Sequence, residues 1–134
     1  MSAAEELIMI MISDDKELDW VQMMQNAWHH YGRIQILSET DVAHHIKSTR
    51  ITPNLIMIDA STIQSELVSL VSKLCQAYQP SPVIVASASP TWKQARDVFH
   101  AGASDYVNRN SDVDRLIQLL KAYAENDSQN GGGE

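Results

Sequence analysis

Four apolar runs in this chain each stop at a polar residue: LIMIMI before Ser13-Asp14-Asp15, NLIMI at Asp59, PVIVA before Ser87, and SDYVN before Arg109. Short apolar runs bounded by loop signals are the pattern of strands buried on both faces of a parallel sheet. Helical spacing recurs between them. Leu18, Val21, Met24 and Ala27/Trp28 predict a first helix over 16–31, and Gly32 reads as its C-cap. A short alternating strand over 33–37 follows, then a helix from Ser38 or Thr40 to about 49. Thr52-Pro53-Asn54 is a turn into a third strand ending at Asp59. Leu67, Leu70, Val71, Leu74 and Tyr78 mark a helix that stops before Pro80, and Pro82 opens a strand over 83–86. Pro90 suits the first turn of a helix running to about His100, and Ala101-Gly102-Ala103 turns into a strand over 105–108. Ser111 caps the last helix, whose apolar face is Val113, Leu116, Ile117, Leu120 and Tyr123. The order is (βα)5, and right-handed crossovers turn it into an α/β fold, a doubly wound five-stranded parallel sheet with helices on both faces. Ligands bind such sheets outside the carboxyl ends of the strands. Asp14, Asp15, Asp59, Ser87 and Arg109 are therefore expected at one site.

At 134 residues the chain reads as one domain, 1–124, followed by a flexible Gly-rich tail or linker, 125–134, that holds no packed apolar residue. The lone Cys75 excludes an internal disulfide, and no signal-peptide pattern precedes the first apolar run, so a reducing cytoplasm is expected. No run approaches the roughly 18 apolar residues of a membrane span. A formal charge of −7 opposes a general nucleic-acid surface, which needs clustered Lys and Arg. His29-His30 and His44-His45 are adjacent helical residues that point to different sides, so they do not suggest a metal pair. Met9, Met11, Met23, Met24 and Met57 suit apolar core positions and need no cofactor. Trp92 is either a partner anchor or a contact over the local core.

Together these residues carry a resemblance over essentially all of Leu7 to Tyr123. The chain resembles the receiver domains of bacterial two-component response regulators, the CheY-like family. That family has an acidic pair after the first strand, a phosphoacceptor aspartate ending the third, Ser or Thr ending the fourth, and an aromatic residue followed three positions later by Lys-Pro. Here those positions read Asp14-Asp15, Asp59, Ser87-Ala88, Tyr106 and Arg109-Asn110, and AGASDY is close to the family's AGA-x-x-Y/F. The resemblance implies a flavodoxin-like sheet with strand order 2-1-3-4-5. Arg109 and Asn110 depart from the pattern, since a planar guanidinium is not a point-charge ammonium and Asn lacks the ring of the usual proline.

The implied chemistry is phosphoryl transfer from a phosphohistidine of a sensor histidine kinase or phosphotransfer protein to Asp59. Carboxylates crowded at a strand edge call for a hard cation; Mg²⁺ held by Asp14, Asp15, Asp59 and the main-chain carbonyl of Ser61 is the implied cofactor. Ser87 and Arg109 would hold phosphoryl oxygens. The implied switch couples Ser87 to rotation of Tyr106 and reshapes the face made by the fourth helix, fifth strand and fifth helix. On this reading the chain is a signalling domain rather than an enzyme, with at most self-catalysed phosphotransfer and dephosphorylation. A C-terminal effector domain or a homodimer would carry the output. Arg109 and Asn110 support an alternative: a pseudo-receiver whose partners bind regardless of phosphorylation. A cofactor carrier or enzyme on the same scaffold is disfavoured, because no Gly-rich phosphate loop follows the first strand.

Overall fold

A computed structural model describes residues 6–48, 52–63 and 66–130, with side chains through Glu125. The elements are β1 (Leu7–Ile12), α1 (Asp19–Trp28), β2 (Gly32–Leu37), α2 (Glu39–Ser48), β3 (Leu55–Asp59), α3 (Leu67–Ala77), β4 (Val83–Ser87), α4 (Trp92–Ala101), β5 (Asp105–Asn108) and α5 (Val113–Asn130). A 3₁₀ turn, Ala60–Thr62, follows β3. All strand pairs are parallel, in the order β2-β1-β3-β4-β5. This is the (βα)5 sheet expected from the pattern, in the flavodoxin-like strand order that the resemblance implies.

Alternation along each strand sorts the core into two layers. Met9, Met11, Met57 and Ile84 face α1 and α5, meeting Val21, Met24, Trp28, Leu116 and Leu120. Ile10, Ile12, Ile56, Ile58 and Val85 face the other side, meeting Val42, Leu70, Val71, Leu74 and Val98. Every residue of β3 and β4 is buried, including the polar ends Asp59 and Ser87. The central strands therefore present carboxyl ends whose side chains are walled by protein, which is the setting in which charge interactions are strong.

Element ends differ from the sequence reading in several places. Gly32 is not a helix cap: α1 ends at Trp28 with a right-handed His29 beyond it, and Gly32 opens β2 opposite Leu7. A Cβ there would overlap the Leu7 backbone, so close strand approach is what requires glycine. Gly102 does terminate α4 at φ 116°, with its N–H donating to Phe99 O at 3.1 Å. Thr91, not Pro90, starts α4: its Oγ1 accepts from Gln94 N at 3.1 Å. Ser111 stands outside α5, which begins at Val113, and the α5 backbone stays helical to Asn130, past the domain limit read at 124. Residues 131–134 lie outside the described residues, as do Thr49, at the expected end of α2, and Gln64.

His45 on α2 sits 2.8 Å from the Tyr78 hydroxyl at the end of α3. Burial, with the neighbouring His44 adding repulsion, holds His45 below the usual imidazole value. A His whose folded value is depressed contributes stability above its unfolded value of about 6.5 and loses it as pH falls toward the folded value. Urea unfolding should therefore show a stability loss between about pH 7.5 and 5.5 that shrinks in His45→Asn; equal slopes in the two proteins would count against it.

Candidate functional site

Asp59 ends β3 with no solvent exposure. Its Oδ2 accepts from Ser13 Oγ at 3.1 Å and its Oδ1 from Arg109 Nη1 at 3.0 Å. The partner at β1 follows from register. Ile12 pairs with Ile58, so the next residue, the fully buried Ser13, stands beside Asp59. The two aspartates fall one and two places further on, where the chain has left the strand.

Each takes up a local role there. Asp14 Oδ1 accepts from the backbone N–H of Glu39 at 2.7 Å, at the first residue of α2. A carboxylate in that place satisfies an orphan helix donor and meets the positive end of the helix dipole. Asp15 Oδ1 accepts from Glu17 N at 3.1 Å, a local turn contact. Thr62 ties this segment to the 3₁₀ turn: its Oγ1 accepts from Asp14 N at 3.0 Å, donates to Asp59 O at 3.1 Å and lies 3.4 Å from Ser13 Oγ.

Arg109 is set by β5. Its N–H donates to Ser87 O at 2.8 Å, which carries the β4–β5 ladder one step beyond the strand and aims the side chain back across the sheet edge. The guanidinium side chain is 17% exposed, with Cζ 5.6 Å from the ring centroid of Trp20. A planar guanidinium can stack on an indole while donating to a carboxylate. Trp20 is itself buried, and its Nε1 has no hydrogen-bond partner among the described residues.

The other expected residues are engaged nearby. Ser87 Oγ accepts from Ser89 N at 3.1 Å, and Ser61 Oγ accepts from Ala88 N at 2.9 Å. Asn110 Nδ2 donates to Ala88 O at 3.1 Å, so the residue in the place of the usual proline braces the β4 exit. The Tyr106 hydroxyl accepts from Thr91 N at 3.0 Å and donates to Gln94 Oε1 at 2.7 Å, which fastens β5 to the first turn of α4.

Of the residues singled out in the sequence, Asp59 and Arg109 meet directly, and Ser87 ends the neighbouring strand. Asp14 and Asp15 reach the same edge but direct their carboxylates to other backbone donors. Ser13, Thr62 and Trp20 belong to the site and were not singled out. Ser13 alone had a visible signal, as the first polar residue after the β1 run.

A divalent ion is the group the acidic edge would call for. Among the described residues no three His, Cys, Asp or Glu side chains stand together as a ligand set. The carboxylate oxygens of Asp59 meet a hydroxyl and a guanidinium, while Asp14 and Asp15 serve backbone N–H groups. In this arrangement the donor set does not fit the ion.

No protein-family profile matches the chain, and no curated protein matches it. Solved structures do. A signal receiver domain from Vibrio parahaemolyticus superposes with TM-score 0.79 at 19% identity, covering 97% of this chain and 100% of its own. A response regulator receiver domain protein (CheY-like) from Methanospirillum hungatei gives 0.77 at 15% identity, covering 94% and 99%. A response regulator from Burkholderia pseudomallei, solved with a phosphorylated aspartic acid, a calcium ion and citrate, gives 0.71 at 13% identity, covering 95% and 74%. At these identities the likeness is one of architecture, and that architecture is the CheY-like receiver fold, carried here by five parallel strands in the order 2-1-3-4-5.

Proposed function

We propose that this chain is a receiver-fold signalling module that acts by binding other proteins, with Asp59 as the anchor of an ion-paired strand edge rather than a standing magnesium-assisted phosphoacceptor. The observation that carries this reading is the one-residue offset at β1. Ser13 occupies the place beside Asp59 that an acidic metal ligand would need, and the Asp14 carboxylate caps α2 instead. A contact elsewhere agrees. Ser61 Oγ covers the Ala88 N–H, a donor that an incoming phosphoryl oxygen would otherwise use. Tyr106 is pinned to α4 through both donor and acceptor roles of its hydroxyl, so α4 is presented in one arrangement without a covalent signal. No described helix is long and apolar enough to cross a membrane; a cytoplasmic setting is part of this proposal.

A second reading, Asp59 as acceptor of a phosphoryl group from a histidine kinase, is favoured by one contact: Arg109 already holds Asp59 Oδ1 at 3.0 Å beside the end of β4. Intact mass after incubation with acetyl phosphate and Mg²⁺ separates the two. The expected result is no phosphoryl adduct on the folded chain. One added phosphoryl group, absent in Asp59→Asn, would install the second reading in place of the first.

A further inference from the structure

The sheet face beneath α2 holds a cavity that the strand-edge site does not use. Strands covered on both faces of a parallel sheet are apolar throughout, and β1 and β3 follow that rule. β2 does not. Its sequence GRIQIL sets Ile34 and Ile36 against the α1 layer, so alternation turns Arg33 and Gln35 to the other face. Register places Arg33 beside Ile8 and Gln35 beside Ile10. α2 buries Val42 alone, and Ile8 is the one residue of β1 left partly exposed. A cavity of about 150 Å³ results, lined by Ile8, Ile10, Arg33, Gln35, His45 and Pro53 among the described residues. Its walls are held in place. Asn54 N donates to Ile8 O and its Oδ1 accepts from Ile8 N, each at 2.8 Å, which ties Pro53 to β1. The Tyr78 hydroxyl lies 2.8 Å from His45 Nδ1 and fixes the ring. A preformed apolar recess with a few convergent polar groups is how small-molecule sites are built.

Size and local charge choose the ligand. An apolar cavity of this volume takes one benzene ring. Arg33 is the lining residue charged at neutral pH, since burial holds His45 below the usual imidazole value. Glu6 already lays a carboxylate on Arg33, Oε1 to Nε at 3.1 Å, and both side chains are more than half exposed, so that pair contributes little and can be exchanged. A guanidinium pairs with a planar carboxylate through two parallel N–H groups. The overall charge of −7 acts weakly here, because exposed charges beyond about 8 Å are screened at physiological salt. We propose that the cavity binds a small free monocarboxylate bearing a single ring or a short branched chain, its apolar part on Ile8 and Ile10 and its carboxylate on Arg33. Gln35 and His45 flank the carboxylate end. The proposal goes beyond the reading of the chain as a binding module and uses none of the strand-edge residues, so it stands or falls apart from that reading.

The test titrates benzoate into the intact chain and follows the backbone amides by NMR. Saturable shifts are expected at Ile8, Ile10, Arg33 and Gln35, with Ser87 and Arg109 unmoved. Neutral benzamide carries the same ring and should bind about tenfold more weakly or worse, the usual effect of losing a charged hydrogen-bond partner. Arg33→Gln should lose a similar factor for benzoate and leave benzamide unchanged; the Arg33 side chain is 63% exposed, so the substitution leaves the core as it is. Glu6→Gln removes the competing carboxylate and should bind benzoate at least as tightly as wild type. Absence of saturable shifts at these four amides with millimolar benzoate, equal affinity for benzamide, unchanged benzoate binding by Arg33→Gln, or weaker binding by Glu6→Gln would overturn the proposal. Shifts caused by a short peptide ending in phenylalanine but not by benzoate would overturn it too, in favour of a protein chain terminus.

Discussion

Arg109→Ala is expected to lower folding stability by about 3–5 kcal/mol, the usual result of leaving one member of a buried pair without the other. Asp59 has no exposure, and its two oxygens have one side-chain partner each, Ser13 on Oδ2 and Arg109 on Oδ1. Removing the guanidinium leaves Oδ1 among apolar strand ends with no donor. Asp59→Asn should be milder. Arg109 is 17% exposed and stacked on Trp20, so once released it can turn toward water while the amide still accepts from Ser13. The double variant should therefore be more stable than Arg109→Ala alone, the sign of coupling between neighbours. With urea slopes of about 1–3 kcal/mol/M, the Arg109→Ala midpoint should fall by roughly 1 M or more. A loss under about 1 kcal/mol, or a double variant no better than Arg109→Ala, would mean that water or Ser13 supports Asp59 without the arginine.

The same pair shows where sequence reading reaches and where it stops. Leu7–Ile12 and Leu55–Asp59 are legible to the residue, because a strand buried on both faces is an apolar run with polar ends. Asp105–Asn108, half-buried, is marked instead by the Ala101-Gly102-Ala103 turn before it. Asp59, Ser87 and Arg109 follow directly, since a parallel sheet brings the carboxyl ends of its strands to one edge. Ser13 is missed for reasons of chemistry as well as geometry. It is visible as the first polar residue after the β1 run, but a serine hydroxyl does not outrank two aspartates, and only the pairing of Ile12 with Ile58 decides which of the three polar residues stands against Asp59. Register is a property of two strands, and a shift of one residue exchanges every neighbour. The Asp14 contact to Glu39 spans 25 positions and joins a strand exit to a helix start, so no local pattern announces it. Gly32 misled for a related reason: after a helix a glycine reads as a cap, whereas here the Leu7 backbone excludes a side chain. Pro90 misled through position, one residue before the threonine whose hydroxyl caps α4.

Trp28→Ala is expected to cost about 3–5 kcal/mol as well, by a different route. Trp28 closes α1 with no exposure and packs edge-on to Tyr31 at a centroid distance of 6.0 Å. Its indole N–H donates to Leu7 O at 3.1 Å and lies 3.2 Å from Arg33 O, so one side chain ties the helix to the first residues of β1 and β2. Truncation opens a cavity in the α1–α5 layer and removes the donor from both carbonyls. Trp28→Phe keeps most of the apolar volume and loses the N–H, so it should fall between wild type and alanine. This contact is at the amino end of the strands, and Asp59 is at the carboxyl end. Six residues of β1 at about 3.3 Å each put roughly 20 Å between them. Losses from Trp28→Ala and Arg109→Ala should then add to within about 0.5 kcal/mol, as they do for distant sites with no shared partner. A combined loss well short of the sum would show that the β1 strand transmits strain from its start to the Ser13–Asp59 contact, and the site would have to be described as coupled to the α1 packing rather than as a local strand-edge assembly.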